Sequence, residues 1–482
     1  MFDRDAPLDV LTPEQLDIVH KQAMRILEEI GTDVLHEGAK KLLAEAGQAV
    51  DGDRVRWDRG FVMDQVAKTP RSFRLHARNP ERSLTIGGPD GDTALMNVGG
   101  PPFASDLDEG RRSGTIADHD ALIKLTHAAD VLNCVQIGAA EATDLPVEWR
   151  HMDMEYSALR WSDKPYTTYG TSGPRARDGL RMAAIARGGS YGDDTVLMGI
   201  VNPNSPLIWD FRMTDALMVW AEANQAIVVT PFLLAGATSP VSLAGGLAQQ
   251  VAECLSGVAL AQLVRPGAPC LYGSFFTVTD MRTGSPAFGT PESVLAVLAG
   301  AQLARRYGLP FRGGGGLASS NAVDAQAAAE TQMMLWATFL ANTDVVLHAA
   351  GWLEGGLTAS FEKFALDVEL LEQFALQRRG ISFTTEELAF DAIVETGPGG
   401  LWLGSPHTRE HFKEWLSMSA LFQTNDYSTW DVMGRQSTEQ IANERWKALL
   451  ASYEDPGLDP AVDEELRGYI EQRKLDPPEP ED

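Results

Sequence analysis

The sequence predicts a (β/α)8 barrel, an α/β fold, with an N-terminal α+β module and a C-terminal helical extension. Eight short apolar or β-branched runs recur between residues 93 and 351. Amphipathic helical patterns, such as "ADHDALIKLTHAADVL" and "SVLAVLAGAQLARRYG", lie between them. Strands alternating with helices build a parallel sheet. Eight such units match the closed barrel. The alternative is an open doubly wound sheet, which usually has fewer strands.

Residues 1–90 read as the separate module. "LTPEQLDIVHKQAMRILEEIG" opens with a Thr12 cap, Pro13 at the first helical position and Glu14 in the first turn. Apolar residues then follow at helical spacing up to a stop at Gly31. "HEGAKKLLAEAG" repeats the helix-to-glycine ending, and "VDGDRVRW" reads as a tight turn into a strand. The barrel is expected over 91–360. Its strands are "TALMNVG" (93–99), "NCVQIG" (133–138), "YTTYGT" (166–171), "TVLMGIV" (195–201), "AIVVTPFLLAG" (226–236), "APCLYGSFF" (268–276), "LPFRGG" (309–314) and "DVVLHAAG" (344–351). A helical extension is expected over 361–470. A disordered tail follows over 471–482, ending in "DPPEPED".

The 482 residues carry a formal net charge of −27. That field repels nucleic acid and anionic membranes, so neither is expected as a partner. Cys134, Cys254 and Cys270 have no paired spacing and read as small buried hydrophobes in a reducing compartment. The start "MFDRDAPLDV" has no apolar leader pattern. The longest apolar run, near "AIVVTPFLLAGA", is shorter than the ~20 residues of a membrane span. A cytoplasmic location is expected.

In such a barrel the active site lies at the C-terminal ends of the strands. Reading those positions in order gives Asn97, Tyr166 and Tyr169, Asn202, Asn204 and Trp209, Thr230 and Phe232, then Tyr272, Phe275 and Phe276. Arg312 and the run Gly313–Gly316 end the seventh strand, and His348 ends the eighth, with Trp352 and Glu354 beyond. The inventory is aromatic and amide-rich. It has no paired carboxylates, no Ser/His/Asp arrangement and no cysteine nucleophile. No metal site is expected, because the cysteines are isolated. The pair His407 and His411 in "SPHTREHF" lacks the zincin glutamate position.

Aromatic faces with an arginine have a specific use. Ring faces hold a quaternary ammonium by cation–π attraction, worth up to ~2 kcal/mol per desolvated contact. A guanidinium grips a carboxylate bidentately. Together they suit a small zwitterion, although each ring could also serve plain core packing. Arg312 between Phe311 and four glycines is awkward as core, since an unpaired buried charge is costly. "RGGGGLASSN" lacks the lysine of a phosphate loop and the GxGxxG spacing, so nucleotide binding is not expected.

The chain resembles the trimethylamine methyltransferase family of corrinoid-dependent methyltransferases, specifically its members without pyrrolysine. The stretches that carry the likeness are "LTPEQLDIVHKQAMRILEEIG", "GSPAFGTPE" (284–292), "LPFRGGGGLASSNAVDAQAAAETQMM" (309–334), "VLHAAGWLEGGLTASFEKFALDVELL" (346–371) and "LGSPHTREHF" (403–412). The family fold is a (β/α)8 barrel. Where the family's trimethylamine enzyme carries pyrrolysine, the matching segment within 313–321 holds only standard residues. The resemblance implies demethylation of a quaternary amine, glycine betaine first, with proline betaine, carnitine or a sulfonium compound as alternatives. A non-catalytic betaine binder is the rival class. It further implies a cobalamin carried by a partner corrinoid protein rather than bound tightly by this chain. Tetrahydrofolate is the expected downstream methyl acceptor, and a homo-oligomer is expected. In this reading Arg312 with His348 holds the carboxylate. Tyr169, Trp209, Phe232, Phe276 and Trp352 form the cage, Asn97 and Asn202 hydrogen-bond substrate, and Gly313, Gly314, Gly315 and Gly316 form the pocket floor.

Overall fold

The computed structural model describes residues 7–476. The first six residues of the N-terminal stretch read for a leader lie outside them, as does the predicted tail from 477 onward. Eight parallel strands close into a ring. They are β1 (Ala94–Asn97), β2 (134–135), β3 (166–167), β4 (Met198–Val201), β5 (Ala226–Val229), β6 (Cys270–Gly273), β7 (Phe311–Arg312) and β8 (Val345–Ala350). Strands β4, β5, β6, β7, β8 and β1 form one continuous parallel sheet in that order. Single rungs close the circle, Met96 with Cys134, Val135 with Tyr166, and Thr167 with Met198. Helices Ile116–Ala128, Arg150–Trp161, Gly173–Ala186, Phe211–Glu222, Leu243–Val264, Pro291–Tyr307, Ala325–Leu340 and Phe361–Arg378 follow strands or their loops. That alternation is the (β/α)8 architecture.

β2 and β3 are shorter than their apolar runs, and side chains supplement the main-chain bonds beside them. Leu95 N–H donates to Asn133 Oδ1 (2.8 Å). Asn97 Nδ2 donates to Gln136 O (2.8 Å), and Gln136 N–H donates to Asn97 Oδ1 (2.9 Å). Ile137 N–H donates to Thr167 Oγ1 (3.3 Å). Each amide or hydroxyl satisfies a backbone group where the strands diverge, as buried backbone demands.

The N-terminal end of the barrel is plugged. A hairpin of Ser72–Leu75 and Leu84–Gly87 inserts Leu75, Leu84 and Ile86 beneath the inward residues Met96, Met198, Val228, Leu271 and Val345. The rest of the N-terminal region is tied to the barrel through shared structure. Its helix Pro13–Arg25 carries the Thr12 cap, and Gly31 follows its last turn at φ 82°. Its strand Thr32–Val34 pairs in parallel with Ile208–Trp209, which the β4 loop sends outward. Helix Leu243–Val264 is long and apolar enough to cross a membrane by composition, yet 89% of its most apolar window is buried. It packs between the barrel and the N-terminal helices, which accounts for its hydrophobicity.

At the C-terminus, helices Thr438–Ala451 and Pro460–Arg473 return to the barrel's outer helices. Residues 471–473 of the predicted tail complete the last of them, and Arg473 Nε donates to Asp178 Oδ1 (3.0 Å).

Candidate active site

A cavity of about 630 Å³ opens at the C-terminal ends of the strands. Its wall follows from strand alternation, in which every second side chain points inward. Ile200 and Asn202 continue the inward phase of Met198, while Thr230 and Phe232 continue that of Val228. Phe275 keeps the phase of Leu271. In β8 the phase breaks. Pairing with β1 shifts register between Val346 and Ala350, and His348 has φ 57°. This left-handed bulge turns His348 inward directly after the inward Leu347, so both line the cavity.

Six of the nine predicted side chains line the cavity: Arg312, His348, Asn202, Tyr169, Phe232 and Trp352. The other three are placed elsewhere. Asn97 is fully buried and spends its amide joining β1 to β2. Trp209 lies outside the barrel, where Nε1 donates to Ser256 Oγ (3.0 Å) and the ring covers Gly257. Phe276 points outward onto Gly246, and its neighbour Phe275 faces the cavity instead.

The predicted pocket floor is also corrected, because none of Gly313–Gly316 lines the cavity. They pack behind its wall. A Cβ on Gly314 would lie 1.9 Å from Thr338 Oγ1, and one on Gly315 would lie 2.6 Å from Leu347 O. Gly314 and Gly315 also hold φ of 66° and 127°, which side chains disfavour. Gly316 N–H donates to His348 O (2.9 Å), and Gly316 O accepts from Lys363 Nζ (3.1 Å). Lys363 pairs with Asp367, both fully buried, and Asp367 accepts from Gly351 N–H (2.8 Å). Bare backbone thus fixes the exits of β7 and β8, which carry Arg312 and Trp352.

Phe275 is the centre of an aromatic cluster. Its ring lies 4.8 Å from Phe232, 5.9 Å from His348 and 5.9 Å from Trp352. Arg312 Cζ lies 4.9 Å from the Phe275 ring centre. Behind Tyr169, its hydroxyl donates to Glu141 Oε1 (2.5 Å), which anchors the ring on the opposite wall.

The polar groups here are left incomplete. Arg312 is 2% exposed. It donates from Nη1 to Ser274 O (3.3 Å), and its Nε has no acceptor among the described residues. Burial pushes its guanidinium down to about 9. Trp352 Nε1 and Thr230 Oγ1 are likewise buried and unpartnered among the described residues. His348 Nδ1 accepts from Gly99 N–H (3.2 Å), which leaves the proton on Nε2. Burial, with the charge of Arg312, holds His348 well below its ordinary value, so the ring is neutral. A cavity wall presenting a cation and several spare donors beside ring faces fits an anion joined to a cationic or apolar head. Such a compact zwitterion would be held without any metal ligand from the chain.

Sequence reasoning named Phe275 among the strand ends but gave the cage to Phe276, and it missed Gln136. Gln136 lines the cavity and its Oε1 accepts from His348 N–H (3.3 Å). Phase with an inward residue such as Leu271 selects Phe275 over Phe276. In a strand apolar on both faces, however, nothing local marks which phase is inward.

A family model described as "Trimethylamine methyltransferase (MTTB)" matches residues 1–478. The glycine betaine methyltransferase of Desulfitobacterium hafniense (strain Y51) is 40% identical over 468 residues, covering 96% of this chain and 97% of that one. The proline betaine:corrinoid methyltransferase of Eubacterium limosum is 28% identical over 475 residues, covering 95% and 96%. The crystal structure of the Methanosarcina barkeri monomethylamine methyltransferase superposes with a TM-score of 0.54 at 11% identity, over 95% of this chain and 90% of that one.

Proposed function

The chain belongs to the trimethylamine methyltransferase family, and from that premise we propose that it moves an N-methyl group from glycine betaine to a corrinoid carried by a partner protein, leaving dimethylglycine. The single observation that supports this substrate is Arg312, a buried cation without a carboxylate partner among the described residues, set against an aromatic ring. In glycine betaine one methylene separates carboxylate from ammonium. A guanidinium resting on the cage itself suits that short separation better than the longer carnitine. The similarity to a glycine betaine methyltransferase points the same way.

The corrinoid supplies the chemistry as a cobalt nucleophile that accepts the methyl group. The chain's own residues bind and aim the donor. Arg312, with His348 Nε2–H and Trp352 Nε1–H, holds the carboxylate through charge-assisted hydrogen bonds. Phe232, Phe275 and Trp352 flank the trimethylammonium head and exclude water, and Tyr169 closes the far side. Asn202 donates from Nδ2 to Thr230 O (2.6 Å) and fixes the rim between β4 and β5. The amine departs neutral, so no side chain needs to donate a proton to it. A strong cation cage stabilises the charged ground state, which the reaction discharges. Tight substrate binding therefore works against turnover.

The test is methyl transfer to chemically reduced cobalamin, followed by the absorbance of the reduced cobalt. Glycine betaine, proline betaine, carnitine and trimethylamine are offered in turn. Turnover led by glycine betaine is expected. Turnover with trimethylamine, or ligand binding with no transfer from any donor, would sink the proposal.

A further inference from the structure

A second cavity of about 630 Å³ lies beside the candidate active site. The two share a wall, because Tyr169, Thr171 and Met213 line both. That wall stands beyond the joint between β3 and β4, which the single rung of Thr167 with Met198 closes. Past this rung the two exits diverge. Tyr169 and Thr171 lead into helix Gly173–Ala186, while the β4 loop turns outward to pair Ile208–Trp209 with Thr32–Val34. Residues of both segments line the second cavity, which reaches the surface at the exposed Val147, Glu148 and Arg212.

One hydrogen bond, from the Tyr169 hydroxyl to Glu141 Oε1 (2.5 Å), holds the dividing ring at its tip. Glu141 in turn pairs with Arg150 Nη2 (3.1 Å). The ring rests against bare Gly138, where a Cβ would lie 3.2 Å from it. Two of the three carboxylates around the second cavity are engaged. Asp178 accepts from the Tyr469 hydroxyl (2.6 Å) and Arg473 Nε (3.0 Å) and meets His151 Nε2 (2.9 Å). Asp210 caps helix Phe211–Glu222 by accepting from Met213 N–H (2.8 Å). The third, Glu148, stands at the exposed rim. Two cations converge on the shared wall, since Arg175 Nη1 and Arg212 Nη2 each donate to Thr171 Oγ1 (3.4 Å). A chain of net charge −27 draws in cations generally. Guanidiniums at this passage instead favour a molecule that leads with a carboxylate.

We propose that the second cavity is an antechamber for carboxylate-bearing amines, and that donor and product pass between it and the active site by displacing the Tyr169 ring. The inference rests on the methyl transfer proposed above, and one requirement of that reaction calls for it. The cobalt acceptor must come within bonding reach of the donor's methyl group, so the partner's corrinoid stands over the barrel mouth during transfer. A side passage lets dimethylglycine leave, and the next betaine enter, without that complex coming apart. Arg175 and Arg212 receive the carboxylate at the outer side of the wall, and Arg312 receives it at the inner end.

The experiment uses the full chain. Cys134, Cys254 and Cys270 are buried, so Val147→Cys is labelled alone with a bulky maleimide. Exchange of glycine betaine is followed by stopped-flow tryptophan fluorescence, with and without hydroxocobalamin, the oxidised cofactor that takes no methyl group. A blocked passage slows entry and exit alike and leaves their ratio unchanged. Labelling is therefore expected to lower both rate constants, by about tenfold with hydroxocobalamin present, at constant Kd. Met213→Trp, which narrows the shared wall without a label, should do the same. Tyr169→Phe, which removes the bond to Glu141 and keeps the ring, should raise both rates. Rates that ignore the label and Met213→Trp in both conditions would overturn the proposal. So would a weaker Kd at an unchanged association rate, which would make the second cavity part of the binding site itself. The methyltransferase reading fails on its own if betaine binds and exchanges but gives up no methyl group, whereas a chain that binds no betaine overturns both.

Discussion

The two ends of the barrel are built from the same strands and solve opposite problems. At the N-terminal end, the hairpin of residues 72–87 fills the ring with Leu75, Leu84 and Ile86, which join the inward side chains in one apolar cluster. At the C-terminal end, the same inward rows finish in Arg312, Trp352 and Thr230, each with a buried polar atom lacking a partner among the described residues. One end is complete without a ligand. The other keeps a desolvated cation and spare donors, at a cost to stability. Stability and function are therefore assigned to different ends, and substitutions should separate them.

The largest separation is expected at Arg312. Arg312→Met should lower kcat/KM for glycine betaine by ~10²–10³-fold, the range for losing a buried charged contact to substrate. Its melting temperature should hold or rise, because an unpaired buried charge is replaced by an apolar chain. Arg312→Met with ordinary kinetics would erase the distinction. Leu75→Ala should do the reverse, costing ~2–5 kcal/mol in denaturant unfolding while the folded enzyme keeps its KM. Gly314→Ala tests the wall behind the cavity. Its Cβ would meet Thr338 Oγ1, so a loss of ~1–3 kcal/mol is expected, with the activity of the folded fraction retained. A selective loss of betaine affinity would return the glycines to the pocket floor.

The smallest effect concerns the cage. The neutral carbon isostere 3,3-dimethylbutyrate keeps the carboxylate but drops the cation, and calorimetry should find it ~2–30-fold weaker than glycine betaine, as a cation–π share of ~0.5–2 kcal/mol requires. Equal affinity would leave the rings as mere walls.

The barrel was legible because its strands are apolar on both faces and are punctuated by amphipathic helices, a pattern that needs no tertiary information. The site was legible to the extent that strand ends mark it, which placed Arg312, Asn202, Phe232 and Trp352 at the cavity. His348 reaches it only through a bulge, and its place at a strand end hid how it gets there. Phe276 and Phe275 could not be told apart, since both are large, apolar and adjacent. Trp209 was lost to an event no local pattern announces, the outward turn of a loop to join a distant strand. The glycines were noticed for their permissiveness, but what approaches them is Thr338 and the β8 carbonyls.

The barrel wall is not uniform around its circumference. From β4 through β8 to β1 the strands pair in one continuous sheet, whereas across β2 and β3 isolated rungs combine main-chain bonds, such as Thr167 N–H to Val135 O (2.9 Å), with side-chain bonds through Asn133, Asn97 and Thr167. A ladder resists change, because no side-chain substitution removes it. The side-chain share of that seam can be let out or taken in one codon at a time. Gln136 and Tyr169, just beyond the two strands of that seam, face the cavity. The aperture can thus be retailored for a bulkier donor from this side while the remainder of the ring keeps its gauge.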